Sequence, residues 1–140
     1  MKIVLFEDNR EYWIAISKLL KERGFDVEPI LVVRGDRLEN LARYIKNETP
    51  DLIIADEELP GFKGHQVLKQ VGGDFYRPGM PGGNPRVISI SSDPTKEMLE
   101  LVGASFKDKR YLTDSNNQQF RDEAKQELIE KIQGCIERIN

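Results

Sequence analysis

The chain has 140 residues, 39% of them apolar, which is enough for one core without metals or disulfides. Its charged residues, 32% of the total, nearly balance at a net −3 with an isoelectric point near 5.3, which disfavours binding to nucleic acid or to an anionic membrane. No apolar run reaches membrane-spanning length, and Glu7 and Asp8 follow Phe6 too soon for the apolar region of a signal peptide, so a cytoplasmic protein is expected. The single cysteine, Cys135, has no partner for an internal disulfide and reads as a packing residue of the last helix.

Ile3 to Phe6 is a short unbroken apolar run, the pattern of a parallel strand covered on both faces, and it ends in Glu7-Asp8-Asn9. Trp13, Ile16 and Leu20 then recur at helical spacing from Arg10 to Arg23, and Gly24 supplies the stop. Val27 to Val33 is a second strand, whose Pro29 lacks a donor N–H and points to an edge position. Leu38, Leu41, Ala42 and Ile45 mark a helix closing before Pro50, and Leu52 to Ala55 is a third buried strand, ending at Asp56.

A short helix is predicted over Gly64 to Val71, then a loop over 72–85 too rich in Gly and Pro for regular structure. That loop, with Phe75, Tyr76 and Met80, reads as a mobile connection or, less readily, as a partner contact. Arg86 to Ser91 is expected as a fourth strand, Pro94 to Val102 as a short helix and Ser105 to Lys109 as a fifth strand, with a loop over Tyr111 to Gln118. The last segment puts Phe120, Ala124, Leu128, Ile132, Ile136 and Ile139 on one stripe, a helix docked on a core. Strands alternating with helices imply an α/β fold, a parallel sheet between helical layers with its chemistry at the carboxyl ends of the strands.

Those strand ends carry Glu7-Asp8, Asp56, Ser91 and Lys109. An isolated Asp closing a strand is ordinarily a turn residue. Three converging carboxylates, however, repel one another unless a cation neutralises them, and oxygen-only ligands favour Mg²⁺ or Mn²⁺ over zinc. Carboxylates, a cation, a hydroxyl and a lysine together suit phosphoryl chemistry, with one carboxylate attacking in line while positive groups neutralise the equatorial oxygens.

These residues resemble the receiver domains of two-component response regulators. The similarity rests on Glu7-Asp8-Asn9 after the first strand, on Asp56 with Leu59, Pro60 and Gly64 three, four and eight positions on, and on Ser91-Ser92 after the fourth strand. It implies a flavodoxin-like (βα)5 fold, a doubly wound five-stranded parallel sheet of order 2-1-3-4-5 with helices on both faces. It also implies that Asp56 is the phosphoacceptor, that Mg²⁺ is held by Glu7, Asp8, Asp56 and the backbone carbonyl of Glu58, and that Ser91 and Lys109 contact the phosphoryl group, with Ser92 leaving room beside it. Phe106, three positions before Lys109, matches the family's aromatic switch residue, with core packing as the competing reading.

The implied partners are a histidine kinase or a histidine phosphotransfer protein as donor, and a downstream protein or a second copy of the chain for output, since one receiver domain over 1–140 leaves no room for an output domain. The protein would then be a signalling phosphoacceptor rather than an enzyme. Lys107 and Arg110 lie close to Lys109, and Arg110 replaces the family's usual proline. The stretch from Ser91 to Lys109 is shorter than usual and that from Asp56 to Ser91 longer. His65 is left outside the site as a solvated residue, and the acidic Glu58 and Asp93 either steer water or face solvent. The rival readings are a non-phosphorylated interaction module of the same fold and a Mg²⁺-dependent phosphatase with Asp56 as nucleophile and Glu58 as acid.

Overall fold

The computed structural model of the chain describes residues 1–113 and 116–140. Among these residues seven strands and five α-helices run in the order β1 (Lys2–Glu7), α1 (Arg10–Glu22), β2 (Asp26–Leu31), α2 (Leu38–Glu48), β3 (Leu52–Ala55), β4 (Glu58–Leu59), β5 (Phe62–Lys63), α3 (Gly64–Val71), β6 (Asn84–Ser89), α4 (Lys96–Leu99), β7 (Val102–Ser105) and α5 (Gln118–Ile139). Five of the strands form one parallel sheet in the order β2-β1-β3-β6-β7, and β4-β5 is a small antiparallel hairpin. This is the expected flavodoxin-like sheet, with Pro29 on the edge strand β2.

Strand alternation splits the core in two. Ile3, Leu5, Leu52, Ile54, Ile88 and Ile90 pack under α1 and α5, while Val4, Phe6, Ile53, Ala55 and Val87 pack under α2, α3 and α4. On the first face Ala124, Leu128 and Ile132 carry α5 as expected, together with Cys135 at 2% exposure, but Phe120 is exposed and meets Tyr111 edge to face.

The second half departs from its predicted boundaries. The fourth strand ends at Ser89 rather than Ser91, and the fourth helix is only Lys96–Leu99. The fifth strand lies at Val102–Ser105 instead of Ser105–Lys109, because the run from Leu99 to Phe106 alternates well enough to suit either structure and the pairing of Ile88 with Ala104 decides it. Lys109 opens a 3-10 helix, Lys109–Leu112, inside what was expected to be strand and loop, and residues 114 and 115 of that loop lie outside the described residues.

The Gly/Pro-rich loop contains a 3-10 turn, Gly73–Phe75, and is anchored at several points. Asn84 donates from its side chain to the Asp74 carbonyl (2.6 Å), the Gly79 amide donates to the Glu100 carbonyl (3.2 Å), and Arg138 of α5 donates to the Gly83 carbonyl (2.7 Å). Lys131 and Arg138 also donate to the carbonyls of Ser105 and Gly103 on the edge strand β7. No helix among the described residues is long and apolar enough to cross a membrane.

Gly83 has φ of +76°, and a Cβ there would lie 1.9 Å from the Val102 carbonyl oxygen. Gly83→Ala is therefore expected to lose about 2 kcal/mol or more of stability in a denaturant titration, because both backbone strain and overlap oppose it.

Candidate functional site

Level strand ends build the site. Phe6 pairs with Ala55, Ala55 with Ser89 and Ser89 with Ser105, and one residue further on the ladder continues from the Asp56 amide to Phe6 (3.1 Å), from Ile90 to Ala55 (3.0 Å) and from Phe106 to Ser89 (2.8 Å). Glu7 and Asp56 therefore leave neighbouring strands at the same height. Asn9 starts α1 as its cap, accepting from the Tyr12 amide at 3.2 Å, while its own amide donates to Glu7 Oε1 at 3.1 Å. The turn that follows β1 thus fixes the direction of the first acid.

Glu7, Asp8 and Asp56 bring one carboxylate oxygen each within 4.8 Å of one another; Glu7 and Asp56 are buried and Asp8 is exposed. Lys109 reaches into this cluster from the 3-10 helix, its Nζ 2.9 Å from Glu7 Oε2, 3.2 Å from Asp56 Oδ1 and 5.1 Å from the centre of the Tyr12 ring. Lys107 is exposed, and Arg110 lies over Tyr111 instead. Ser91, 2% exposed, sits two residues beyond β6 with its amide donating to Ser89 Oγ (3.2 Å), and Ser92 beside it is exposed. Phe106 is fully buried in the core under α1 and α5.

Three acids facing one ammonium leave excess negative charge in a buried place. Burial first and the Glu7 charge second push the Asp56 carboxyl up from its ordinary 3.8 to about 8, against the pull of Lys109. Burial lowers the Lys109 pKa, but Asp56 and then Glu7 outweigh it and hold Lys109 above its ordinary 10.5. The all-oxygen donor set and its unbalanced charge fit a hard divalent cation.

Around the cluster the chain turns tightly. The β4–β5 hairpin carries Pro60-Gly61 at its tip, and the α3 N-terminus returns against Asp56 so closely that a Cβ on Gly64 would lie 2.0 Å from the Asp56 carbonyl oxygen. Glu58 is exposed, its carboxylate 2.6 Å from Lys63 Nζ. The sequence reading missed Glu57, which is fully buried and holds His65 and Thr95; a charged residue following a strand gives no sign in sequence of the face it takes. His65, expected to be solvated, is only 22% exposed at its side chain and has Nδ1 2.8 Å from Glu57.

No protein-family profile matches the chain. It is 31% identical over 103 residues to a protein of Arabidopsis thaliana named for a two-component response regulator, ARR13, covering 72% of this chain and 16% of that one. It is also 34% identical over 70 residues to the regulatory protein VanRc of Enterococcus gallinarum, covering 50% of this chain and 28% of that one. The chain thus spans less than a third of either curated relative. Among solved structures, the BeF3-activated receiver domain of Klebsiella pneumoniae RstA shares 25% identity at a TM-score of 0.53 over 75% of this chain and 83% of that one. The response regulator domain of Thermotoga maritima CheB superposes over 98% and 96% of the two chains at a TM-score of 0.65 and 19% identity. The chain belongs to the response-regulator receiver family. Receiver domains are signalling phosphoacceptors rather than enzymes of the ordinary kind and generally bind Mg²⁺. Among the described residues of this receiver domain, Glu7, Asp8 and Asp56 form the cluster of acids able to hold a metal.

Asp56 holds its proton more tightly folded than unfolded. Its contribution to stability is complete below pH 3.8 and is lost as pH rises to about 8. Without divalent cations, Asp56→Asn is expected to flatten this slope and melt several degrees higher than the wild type at pH 8, as read by thermal denaturation. Proton and cation compete for Asp56, so the Mg²⁺ affinity of the wild type measured by calorimetry should climb with pH toward about 8 and then level off.

Proposed function

We propose that the domain accepts a phosphoryl group on Asp56, from a phosphohistidine of a histidine kinase or phosphotransfer protein, and thereby alters a surface that binds a downstream protein or a second copy of the chain. The observation that carries this reading is the Lys109 ammonium within 3.2 Å of Asp56 and 2.9 Å of Glu7 in a buried cluster of carboxylates. An ordinary turn aspartate has no need of a lysine more than fifty residues away.

In this reading Glu7, Asp8, Asp56 and the backbone carbonyl of Glu58 hold Mg²⁺, with Mn²⁺ as a substitute. Held there, the cation would supply positive charge that neutralises the transferring group. An Asp56 carboxylate oxygen forms the new P–O bond as the P–N bond of the donor breaks, and the donor imidazole leaves with a proton in place of the phosphoryl group. Lys109 pairs with one phosphoryl oxygen, exchanging a carboxylate partner for it, and Ser91 donates its hydroxyl to another. Phe106, whose amide is bonded to Ser89, follows Ser91 as the switch residue.

The rival chemistry is less well supported. A phosphatase acid at Glu58 would have to abandon Lys63 and turn from solvent toward the cluster. A module that signals without phosphorylation would need neither Lys109 nor the crowded acids, whose mutual repulsion burdens the fold.

Intact-mass analysis after exposure to acetyl phosphate tests the reading. One phosphoryl group should be gained with Mg²⁺, none with a chelator and none in Asp56→Asn. Lys109→Ala should slow the gain by roughly a hundredfold, the scale for removing one preorganised charge. A gain that persists in Asp56→Asn would refute the assignment.

A further inference from the structure

Glu57, the residue bonded to Asp56 on its C-terminal side, takes no part in the chemistry above, yet it is a fully buried carboxylate. Such a group is costly unless its oxygens are satisfied, and leucine would serve a purely packing role better. Oε1 of Glu57 accepts from the His65 amide at 2.8 Å, and Oε2 lies 2.8 Å from His65 Nδ1, which donates as N–H. The Thr95 hydroxyl also donates to Oε2, while the Thr95 oxygen accepts from the Met98 amide at 3.1 Å and caps α4. The Glu57 carbonyl accepts from the Gly64 amide at 2.8 Å. One residue thus ties the N-termini of α3 and α4 to the peptide that carries Asp56.

Thr95 closes the short loop that begins at Ser91. At its near end the loop is fixed by the Ile90 amide donating to the Ala55 carbonyl at 3.0 Å, and at its far end by Thr95 on Glu57. Ala55 and Glu57 are the two chain neighbours of Asp56. Both ends of the segment that supplies the hydroxyl are therefore pinned to the segment that supplies the nucleophile.

We propose that Glu57 is a positioning residue for phosphoryl uptake, acting through Thr95 to hold Ser91 at Asp56. This rests on Asp56 being the phosphoacceptor. Loss of the tie leaves the acids and Lys109 in place, so cation binding is unaffected while Ser91 meets the phosphoryl group less often. The physical basis is orientation: a small displacement of a positioned group lowers rate without removing any reacting atom.

The test compares three substitutions in the full chain, reading the initial rate of Mg²⁺-dependent mass gain from acetyl phosphate and the Mg²⁺ affinity by calorimetry. Thr95→Val removes both the Glu57 bond and the α4 cap, whereas Thr95→Asp keeps a capping oxygen but sets a carboxylate against Glu57. Both should slow uptake about tenfold with Mg²⁺ affinity held within about twofold, and Thr95→Ser, which keeps both bonds, should stay within about threefold of the wild type. Should Thr95→Val not fold, the Asp and Ser variants carry the comparison. A slow Val variant beside a normal Asp variant would mean that only the cap matters and overturns the proposal, as do unchanged rates in both. Wild type that gains no mass, or an Asp56→Asn variant that still does, defeats the phosphoacceptor reading and this proposal with it; normal wild-type behaviour with unaltered variants defeats this proposal alone.

Discussion

Parallel strands that end at the same height deliver whatever follows them into one small volume, and that constraint governs this molecule. Phe6, Ala55 and Ser89 lie in a single row of the sheet, so the residues beyond them have little freedom to separate. Carboxylates delivered there repel one another, and the fold tolerates them through Lys109, which reaches in from the 3-10 helix to within salt-bridge distance of both Glu7 and Asp56. Burial first, and the Glu7 charge after it, outweigh the pull of Lys109 and keep the Asp56 pKa raised. The same imbalance that weakens the fold prepares the site for positive charge brought from outside.

Much of this was legible in the chain. The buried strands Ile3–Phe6 and Leu52–Ala55 announce themselves as unbroken apolar runs, Gly64–Val71 begins and ends where its pattern says, and Pro29 marks an edge. Glu7, Asp8 and Asp56 meet because strand ends in a parallel sheet share one side, and Lys109 joins them from the 3-10 helix rather than from the strand end expected of it. Less was legible after Ser91. From Leu99 to Phe106 the apolar residues are spaced for either a helix or a strand, and only pairing with β6 decides, which shifted the helix, the strand and the setting of Lys109 together. Glu57 was invisible for a different reason. Its orientation is set by the return of α3 against Asp56 and by α4, contacts that no local pattern encodes.

The long loop and the short fourth helix belong together. The Gly79 amide bonds the carbonyl of Glu100 just past α4, and Phe75 and Tyr76 pack partly against the core beneath α3 and α4. The loop and α4 thus pack on the same side of the sheet. The loop is part of the packing of that layer, whereas its Gly and Pro content alone suggested a mobile connection.

The contacts of α5 with β7 bear on how copies of the domain can meet. Gly103 and Ser105 share one side of the strand, and their carbonyls are taken up by Arg138 and Lys131. An incoming strand seeking to extend the sheet there would find its acceptors already engaged by cations, a standard defence of an open edge. At that end of the sheet, extension by a further strand is therefore disfavoured.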